Sequence, residues 1–181
     1  MKEKNHPSKY GVDSHMKMRE MATAFISYKN QLLLIKKKPG RLFPFEFWSG
    51  IGGHLEAEEL NHPITACLRE IEEETGLKKD DIAHLELRYI LLRRKDNEIR
   101  QQYVYFGESR HSNVISSEEG ELCWIHKDEI KNLKISTILK YMIQHYNENR
   151  NKTSVYVGTM TMRNNEEPEV QWTELVDPKI F

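Results

Sequence analysis

The sequence lacks the features that mark several classes of protein. Its only cysteines, Cys67 and Cys123, lie far apart and form no CxxC or Cys/His pattern. Such thiols are typical of a reducing compartment and predict no disulfide framework. No apolar run approaches the roughly 18 residues of a membrane-spanning helix, and the polar start has no apolar segment of a secretory signal. We therefore expect a cytoplasmic protein with no membrane partner.

An excess of one charge is also absent. Lysine and arginine total 27 and aspartate and glutamate total 28, which leaves a net charge of -1. Without an overall positive field we expect no long nucleic acid as a partner, and we expect small molecules instead.

Length and hydrophobic content favour one compact domain. The 181 residues include 38% hydrophobic residues. Residues 1–18 contain few core-forming residues, and we predict a mobile N-terminal extension there. Residues 19–181 are predicted to form a single domain that ends in a β-hairpin at about 153–176.

Strand patterns alternate with two helix patterns along this domain. We predict hairpins broken at residues 29–31 and 95–98, short strands at Phe47–Ile51 and in "ELCWI", and a helix in "TILKYMIQHYNEN". This order predicts an α/β fold in which helices cover a mixed sheet.

The other helix is predicted over residues 63–75. Pro63 suits the first helical position, Asn61 or His62 can cap the helix, and Gly76 can end it in a left-handed conformation. The predicted buried stripe consists of Ile64, Leu68, Ile71 and Thr75.

Three carboxylates share another face of this helix. Glu70 lies three residues before Glu73 and four before Glu74, and each like-charge pair at such spacing costs roughly 0.2–0.5 kcal/mol. A solvated face with Arg69 paired to Glu73 is one explanation. The other is a receptor for Mg²⁺, which prefers several oxygen ligands held on a rigid support.

The stretch "GGHLEAEELNHPITACLREIEEETGL" resembles the signature of the Nudix hydrolases, whose fold is an α/β/α sandwich with a mixed β-sheet. Its second half carries the fixed residues of that pattern, and Gly53 with Glu59 reproduces the spacing of its front half. The matching residues of the second half are Arg69, Glu70, Ile71, Glu73, Glu74, Gly76 and Leu77.

The middle of the signature departs from the family pattern. Nine residues separate Glu59 from Arg69 where the pattern has seven, so we infer a two-residue insertion around Leu60–His62. We favour Glu59 as the first box glutamate, with Glu56 and Glu58 as alternates. Counting back from the helix would put Asn61 there.

The resemblance implies hydrolysis of a nucleoside diphosphate linked to another group, with Mg²⁺ or Mn²⁺ as cofactor. It implies that the metal is held by Glu70, Glu73, Glu74 and the Gly52 carbonyl, and that Arg69 and Glu59 hold the loop against the helix. Such a metal would bridge the acidic helix and a negatively charged diphosphate.

The general base is either a box glutamate, for which Glu73 is our candidate, or a glutamate of a later loop. That loop, "SSEEGELCW", offers Glu118, Glu119 and Glu121, of which we favour Glu119. An ordinary solvated loop is the competing interpretation.

Further candidates could contact the substrate. Phe47 and Trp48 could stack on a nucleobase, although burial in the core is the competing interpretation, and His54 could contact phosphate or be a polar turn residue. A basic cluster at a predicted hairpin tip is expected to be solvated, with phosphate or a partner chain as the alternative. Its members are Arg93, Arg94, Lys95 and Arg100.

We expect a nucleoside triphosphate as the substrate, including an oxidised one, cleaved to a monophosphate and pyrophosphate. Dinucleoside polyphosphates, ADP-ribose and nucleotide sugars are the alternatives. The isopentenyl-diphosphate isomerases share the fold, but neither cysteine has their sequence context, and a non-catalytic nucleotide sensor is disfavoured because the box glutamates are present. The resemblance also allows a homodimer, to which the terminal hairpin could contribute an edge.

Overall fold

The computed structural model describes residues 16–39 and 44–179. The strands within these residues form one mixed β-sheet. Of the predicted extension at residues 1–18, residues 1–15 lie outside the described part of the chain. The first strand begins within the remainder, at Lys17. The strands are β1 (Lys17–Tyr28), β2 (Gln31–Lys37), β3 (Phe47–Ser49), β4 (Ile51–His54), β5 (Ile82–Lys95), β6 (Glu98–Ser109), β7 (Gly120–His126), β8 (Tyr156–Met162) and β9 (Pro168–Glu174). The helices are α1 (Pro63–Thr75) and α2 (Thr137–Glu148).

The strand order is β3-β2-β1-β6-β5-β8-β9, with β4 paired to β1 and β7 paired to β2. β1 is long enough to serve two neighbours on the same side. Its residues 21–24 pair with β4, and its residues 26–28 pair with β2. The sheet is therefore split beside the middle of β1, with β4 on one side of the split and β2, β3 and β7 on the other.

Each face of the sheet carries its own hydrophobic core, because successive side chains of a strand point to opposite faces. In β1, Ile26 belongs to the core under α1, and the preceding Phe25 belongs to the core under α2. Helix α1 contributes Ala66, Cys67 and Ile71 to the first core, and α2 contributes Ile138, Leu139, Met142 and Ile143 to the second. The predicted α/β/α sandwich with a mixed sheet is confirmed.

The prediction of one strand over Phe47–Ile51 is wrong. The chain forms two strands that are interrupted at Gly50, and β3 pairs with β2 whereas β4 pairs with β1. A side chain at Gly50 would lie 2.8 Å from the Ala24 carbonyl oxygen. The glycine thus lets the chain pass close to β1 while it crosses from one part of the split sheet to the other.

Helix α1 has the predicted ends, and of the predicted buried stripe Ile71 and Thr75 are buried, whereas Leu68 is only half-buried. Gly76 follows it with φ 73° and donates its N–H to Glu72 O at 2.9 Å. Ile64 is 36% exposed, and the buried residues are Ala66, Cys67, Ile71, Glu74 and Thr75. The helix is therefore rotated from the predicted orientation, and one of its carboxylates, Glu74, faces the sheet.

Aromatic rings and one imidazole connect α2 to the terminal hairpin of β8 and β9. The Tyr89 hydroxyl lies 2.9 Å from Nδ1 of His145. The His145 ring stacks on Trp172 of β9 at a centroid distance of 4.7 Å and meets the Tyr156 ring of β8 edge-on at 4.8 Å. Protonation of this imidazole would bring a charge into an apolar contact.

We expect protonation of His145 to lower the free energy of unfolding as the pH falls from about 7 to 5, against the opposite contribution of Glu74, whose pKa burial raises. Burial lowers the pKa of His145 below its usual value, with Glu148 opposing and Lys152 reinforcing the shift. The unfolded chain, with an ordinary imidazole pKa near 6.5, therefore takes up the proton first and is stabilised by acid. In urea unfolding over this pH range the parent should lose stability relative to His145→Gln as the pH falls, and a stability difference that does not change with pH would contradict this expectation.

Candidate active site

Two consecutive glycines of β4 form the floor of the site. Gly52 has φ +148°, and a side chain there would lie 2.1 Å from the Ala22 carbonyl oxygen of β1. A side chain at Gly53 would lie 2.4 Å from Oε1 of Glu70. The absence of a side chain at Gly52 therefore allows β4 to pair with β1. The absence of a side chain at Gly53 leaves the space that the Glu70 carboxylate of α1 occupies.

Arg69 joins this floor to the helix through a bidentate ion pair with Glu59. Its Nε donates to Glu59 Oε1 at 2.9 Å, and its Nη2 donates to Glu59 Oε2 at 3.0 Å and to the His54 carbonyl at 3.1 Å. The hydrogen bonds from Arg69 lower the pKa of Glu59, which is buried. The loop that follows β4 is thus fixed to α1 at two points.

The insertion occupies the loop just before α1. Residues 57–59 form a short 3-10 turn in which Glu59 Oε2 accepts the Glu56 N–H at 2.9 Å. Leu60–His62 then bring the chain to Pro63, and His62 N–H donates to Glu59 O at 2.7 Å. The structure brings Glu59 to Arg69, whereas Glu56, Glu58 and Asn61 are exposed.

Arg69 also holds two of the predicted metal ligands. Its Nη1 donates to Glu70 Oε1 at 2.8 Å and to Glu73 Oε2 at 3.1 Å. The Glu70 side chain is 13% exposed and that of Glu73 is 59% exposed. Burial raises the pKa of Glu70, and Arg69 opposes this shift. One guanidinium therefore offsets part of the repulsion between these carboxylates.

Glu74 points away from that pair and into the split of the sheet. It is 2% exposed, and its Oε2 accepts the Gly52 N–H at 2.8 Å. Its Oε1 lies 3.3 Å from Nζ of Lys37 at the end of β2. Burial raises the pKa of Glu74 to about 7, although Lys37 and the Gly52 N–H both lower it.

The loop before β7 brings Glu119 to the same lysine. Lys37 Nζ donates to Glu119 Oε2 at 2.9 Å, and Lys37 is paired with Gly120 in the β2–β7 ladder. The loop is also tied to the end of α1, since Ile115 N–H donates to Thr75 O at 2.9 Å. Burial lowers the pKa of Lys37, but Glu74 and Glu119 outweigh it and the net shift is upward.

Lys37 is the site residue that sequence reasoning missed. The alternation of β2 contained the signal, because Leu33 and Ile35 belong to the α1-side core and Lys37 is the next residue on that face. It was hidden because Lys37 lies within a run of three lysines that resembles a solvated strand end.

The predicted substrate-binding residues lie on both faces of the sheet. Phe47 is paired with Lys37 in the β2–β3 ladder, while Trp48 packs against the α2-side core. His54 is exposed, and its Nε2 lies 3.0 Å from Nη1 of Arg19. Burial lowers the pKa of His54, and Arg19 adds to the shift. The structure does not bring Trp48 or His54 into contact with the carboxylates.

The donor set suits a hard divalent cation, because it consists of carboxylate and carbonyl oxygens. Lys37 already lies between Glu74 and Glu119, where a positive charge is stabilised from both sides. In residues 16–39 and 44–179, however, no three acidic, histidine or cysteine side chains converge as a ready-made metal cage. Arg69 engages Glu70 Oε1 and Glu73 Oε2, which leaves the other oxygen of each carboxylate without a hydrogen bond from Arg69.

We expect the two floor glycines to respond differently to alanine. Gly52→Ala should lower the free energy of unfolding by several kcal/mol, since its methyl group would meet backbone at a positive φ. Gly53→Ala should keep most of the stability but displace the Glu70 carboxylate, which can rotate. Urea unfolding measured beside nucleotide hydrolysis should separate these effects, and equal loss of stability in both variants would contradict them.

We also expect Glu59→Gln to destabilise the fold by about 1–3 kcal/mol, because the Arg69 guanidinium loses the charge of its buried partner. The exposed Glu56→Gln and Glu58→Gln serve as controls and should differ from the parent by less than about 0.5 kcal/mol. If either control lost more stability than Glu59→Gln, Glu59 would not be the residue that fixes the loop.

Solved structures with the same fold include proteins described as MutT. The mutator MutT protein from Bacillus halodurans is 22% identical with a TM-score of 0.62, and the alignment covers 85% of this chain and 97% of that one. The MutT protein from Methanosarcina mazei Go1 is 16% identical with a TM-score of 0.63, and the coverages are 75% and 97%. An Ap4A hydrolase from C. elegans is 15% identical with a TM-score of 0.60, and the coverages are 74% and 98%.

The sequence comparisons agree with this architecture. No curated protein sequence matches the chain significantly. The family profile described as the NUDIX domain matches residues 18–146, which contain the glycine floor, the Arg69–Glu59 ion pair and the carboxylates of α1. The chain therefore belongs to the Nudix family of phosphohydrolases.

Proposed function

We propose that this chain hydrolyses a nucleoside triphosphate, including an oxidised one, to a monophosphate and pyrophosphate in a reaction that depends on Mg²⁺. One observation carries the proposal. Carboxylates from α1 and from the loop before β7 gather at the split of the sheet beside Gly52, where Lys37 links Glu74 to Glu119.

Mg²⁺ would be held by Glu70, Glu73, Glu74 and the Gly52 carbonyl, and Mn²⁺ offers the same preference for oxygen ligands. When bound, the metal would neutralise phosphate oxygens and increase the acidity of a water molecule. Without a cation the acidic face would repel a polyphosphate, so the cofactor follows from the charge of these residues.

The chain's own residues would supply position and proton transfer. Arg69 keeps the helix and the floor in register, and Glu59 fixes the orientation of its guanidinium. Glu119 is our candidate for accepting the proton of the attacking water, because its side chain is 59% exposed and is held beside Glu74 by Lys37. Glu73 is the alternative base.

The same proposal assigns substrate contacts at the two sides of the split. Phe47, which shares the face of Lys37, would stack on the base, whereas Trp48 points to the opposite face and could contact a base only from there. His54 would contact phosphate. Dinucleoside polyphosphates are the second substrate class, since a protein of the same fold is an Ap4A hydrolase. A cytoplasmic location and a homodimer are further parts of the proposal. As a separate finding, neither described helix is long and apolar enough to cross a bilayer.

We expect Glu73→Gln to lower kcat by at least about 100-fold, since it removes a charge that acts on the metal or on the attacking water. The neighbouring Glu72→Gln is the matched control. Glu72 is exposed and its side chain has no assigned role, so kcat should stay within about twofold of the parent.

The measurement is chromatographic identification of the nucleotide products formed from a panel of nucleoside triphosphates, dinucleoside polyphosphates, ADP-ribose and nucleotide sugars, with and without Mg²⁺, together with pyrophosphate release from the triphosphates. Turnover that requires the metal and is lost only in Glu73→Gln supports the proposal. Tight nucleotide binding without product in either Mg²⁺ or Mn²⁺ would indicate a sensor and overturn it.

A further inference from the structure

The Lys37 ammonium lies between a buried carboxylate and an exposed one. Its Nζ is 3.3 Å from Oε1 of Glu74, whose side chain is 3% exposed, and 2.9 Å from Oε2 of Glu119, whose side chain is 59% exposed. An ammonium has three N–H donors and no acceptor, so Lys37 can serve both carboxylates at once. It therefore joins the last turn of α1 to the loop before β7.

The position of the Glu119 side chain depends on this contact. Among the residues that the structure describes, Lys37 is the one cation that contacts the Glu119 carboxylate. A long, exposed side chain has many rotamers, and without a partner it would spread over them in solvent. Lys37 thus selects the position beside Glu74 from those open to Glu119.

The same ammonium takes up the second oxygen of Glu74. Oε2 of Glu74 accepts the Gly52 N–H at 2.8 Å, and Oε1 is the oxygen that Lys37 contacts. A divalent cation on Oε1 would lie close to the ammonium, and two positive charges at such a distance repel each other. Lys37 and the metal would therefore compete for Glu74.

The register of the sheet gives this place to Lys37 and not to the lysines on either side of it. Lys37 is paired with Gly120 in the β2–β7 ladder, which brings it next to the loop. Lys36 points to the opposite face and pairs with Glu46 at 2.8 Å, and Lys38 is exposed beyond the end of β2. Neither neighbour forms an ion pair with the two carboxylates in the described part of the chain.

We infer that Lys37 is a positioning residue with two opposed effects. It holds the Glu119 carboxylate where that group accepts a proton, and it weakens the binding of the metal because it shares Glu74. This inference rests on the proposed function, since Glu119 and the metal belong to that site.

The first test measures Mg²⁺ binding to the full chain without nucleotide, by titration calorimetry. A pH of about 9 is used, above the pKa of about 7 to which burial raises Glu74, so that a proton does not replace the ammonium. Lys37→Met should bind Mg²⁺ at least about fivefold more tightly than the parent, because it removes a repelling charge. Lys38→Met is the matched control and should stay within about twofold of the parent, since its charge is exposed and screened. Lys37→Arg keeps the charge and should stay close to the parent.

The second test measures kcat at saturating Mg²⁺, where a change in metal affinity no longer matters. Lys37→Met should lower kcat by about tenfold or more with a much smaller change in KM, because Glu119 is no longer held. Lys37→Arg should recover part of this loss. In a Glu119→Gln background, Lys37→Met should have little further effect on kcat, since the two residues act as a unit.

Amide hydrogen exchange gives a readout that does not depend on turnover. The loop amides of Ile115 and Glu119, which donate to Thr75 O and Ser117 Oγ, should exchange faster in Lys37→Met than in the parent or in Lys38→Met. Thermal melting establishes that each variant is folded at the assay temperature. If Lys37→Met is not folded, Lys37→Gln takes its place under the same expectations, because it keeps a donor without the charge.

Unchanged or weaker Mg²⁺ binding in Lys37→Met would overturn the inference, as would a loss of kcat that persists in full in the Glu119→Gln background. If Mg²⁺ affinity rises and the loop exchanges faster but the chain hydrolyses no nucleotide, the proposed function fails and the competition between Lys37 and the metal stands. If the chain is active but Mg²⁺ affinity does not rise, only the role of Lys37 fails.

Discussion

The ion pair between Arg69 and Glu59 is the interaction on which the rest of the site depends. The five N–H groups of one guanidinium are all used, on Glu59, Glu70, Glu73 and the His54 carbonyl. The same side chain therefore closes the loop after β4 onto α1 and offsets repulsion on the acidic face. It acts together with the hydrogen bond from the Gly52 N–H to Glu74 to hold the helix against the glycine floor.

A second constraint is the burial of Glu74. A carboxylate that is 2% exposed is unfavourable unless its oxygens have partners. The Gly52 N–H and Lys37 supply them from two different strands. This requirement accounts for the rotation of α1 from its most apolar orientation, because the helix turns so that Glu74 in its last turn reaches the sheet. The helix keeps Ile71 and Cys67 in the core and leaves Ile64 partly exposed.

Features that depend on local chemistry could be predicted from the sequence. The ends of α1 follow from Pro63 and Gly76, and the two long hairpins follow from alternation and polar breaks. The spacing of the box glutamates identified the family.

Features that depend on distant pairing could not be predicted. The break at Gly50 follows from the close approach of β1, and the position of Lys37 beside Glu119 follows from the β2–β7 register. The spacing of the signature favours Glu59 over its neighbours, but the 3-10 turn that brings it to Arg69 follows from no periodicity.

The break at Gly50 has a mechanical consequence. One part of the sheet, β1 with β4, carries Gly52, Gly53 and the loop held by the Arg69–Glu59 pair. The other part, β2 with β7, carries Lys37 and the adjacent Glu119. A shear of about one ångström between these two parts of the sheet would part Lys37 from Glu74, since that contact is already 3.3 Å long, and would leave the guanidinium pair intact. The acidic cluster is thus assembled from both parts of the split sheet. The distance between Lys37 and Glu74 therefore depends on the pairing of β1 with β2 at Ile26–Tyr28.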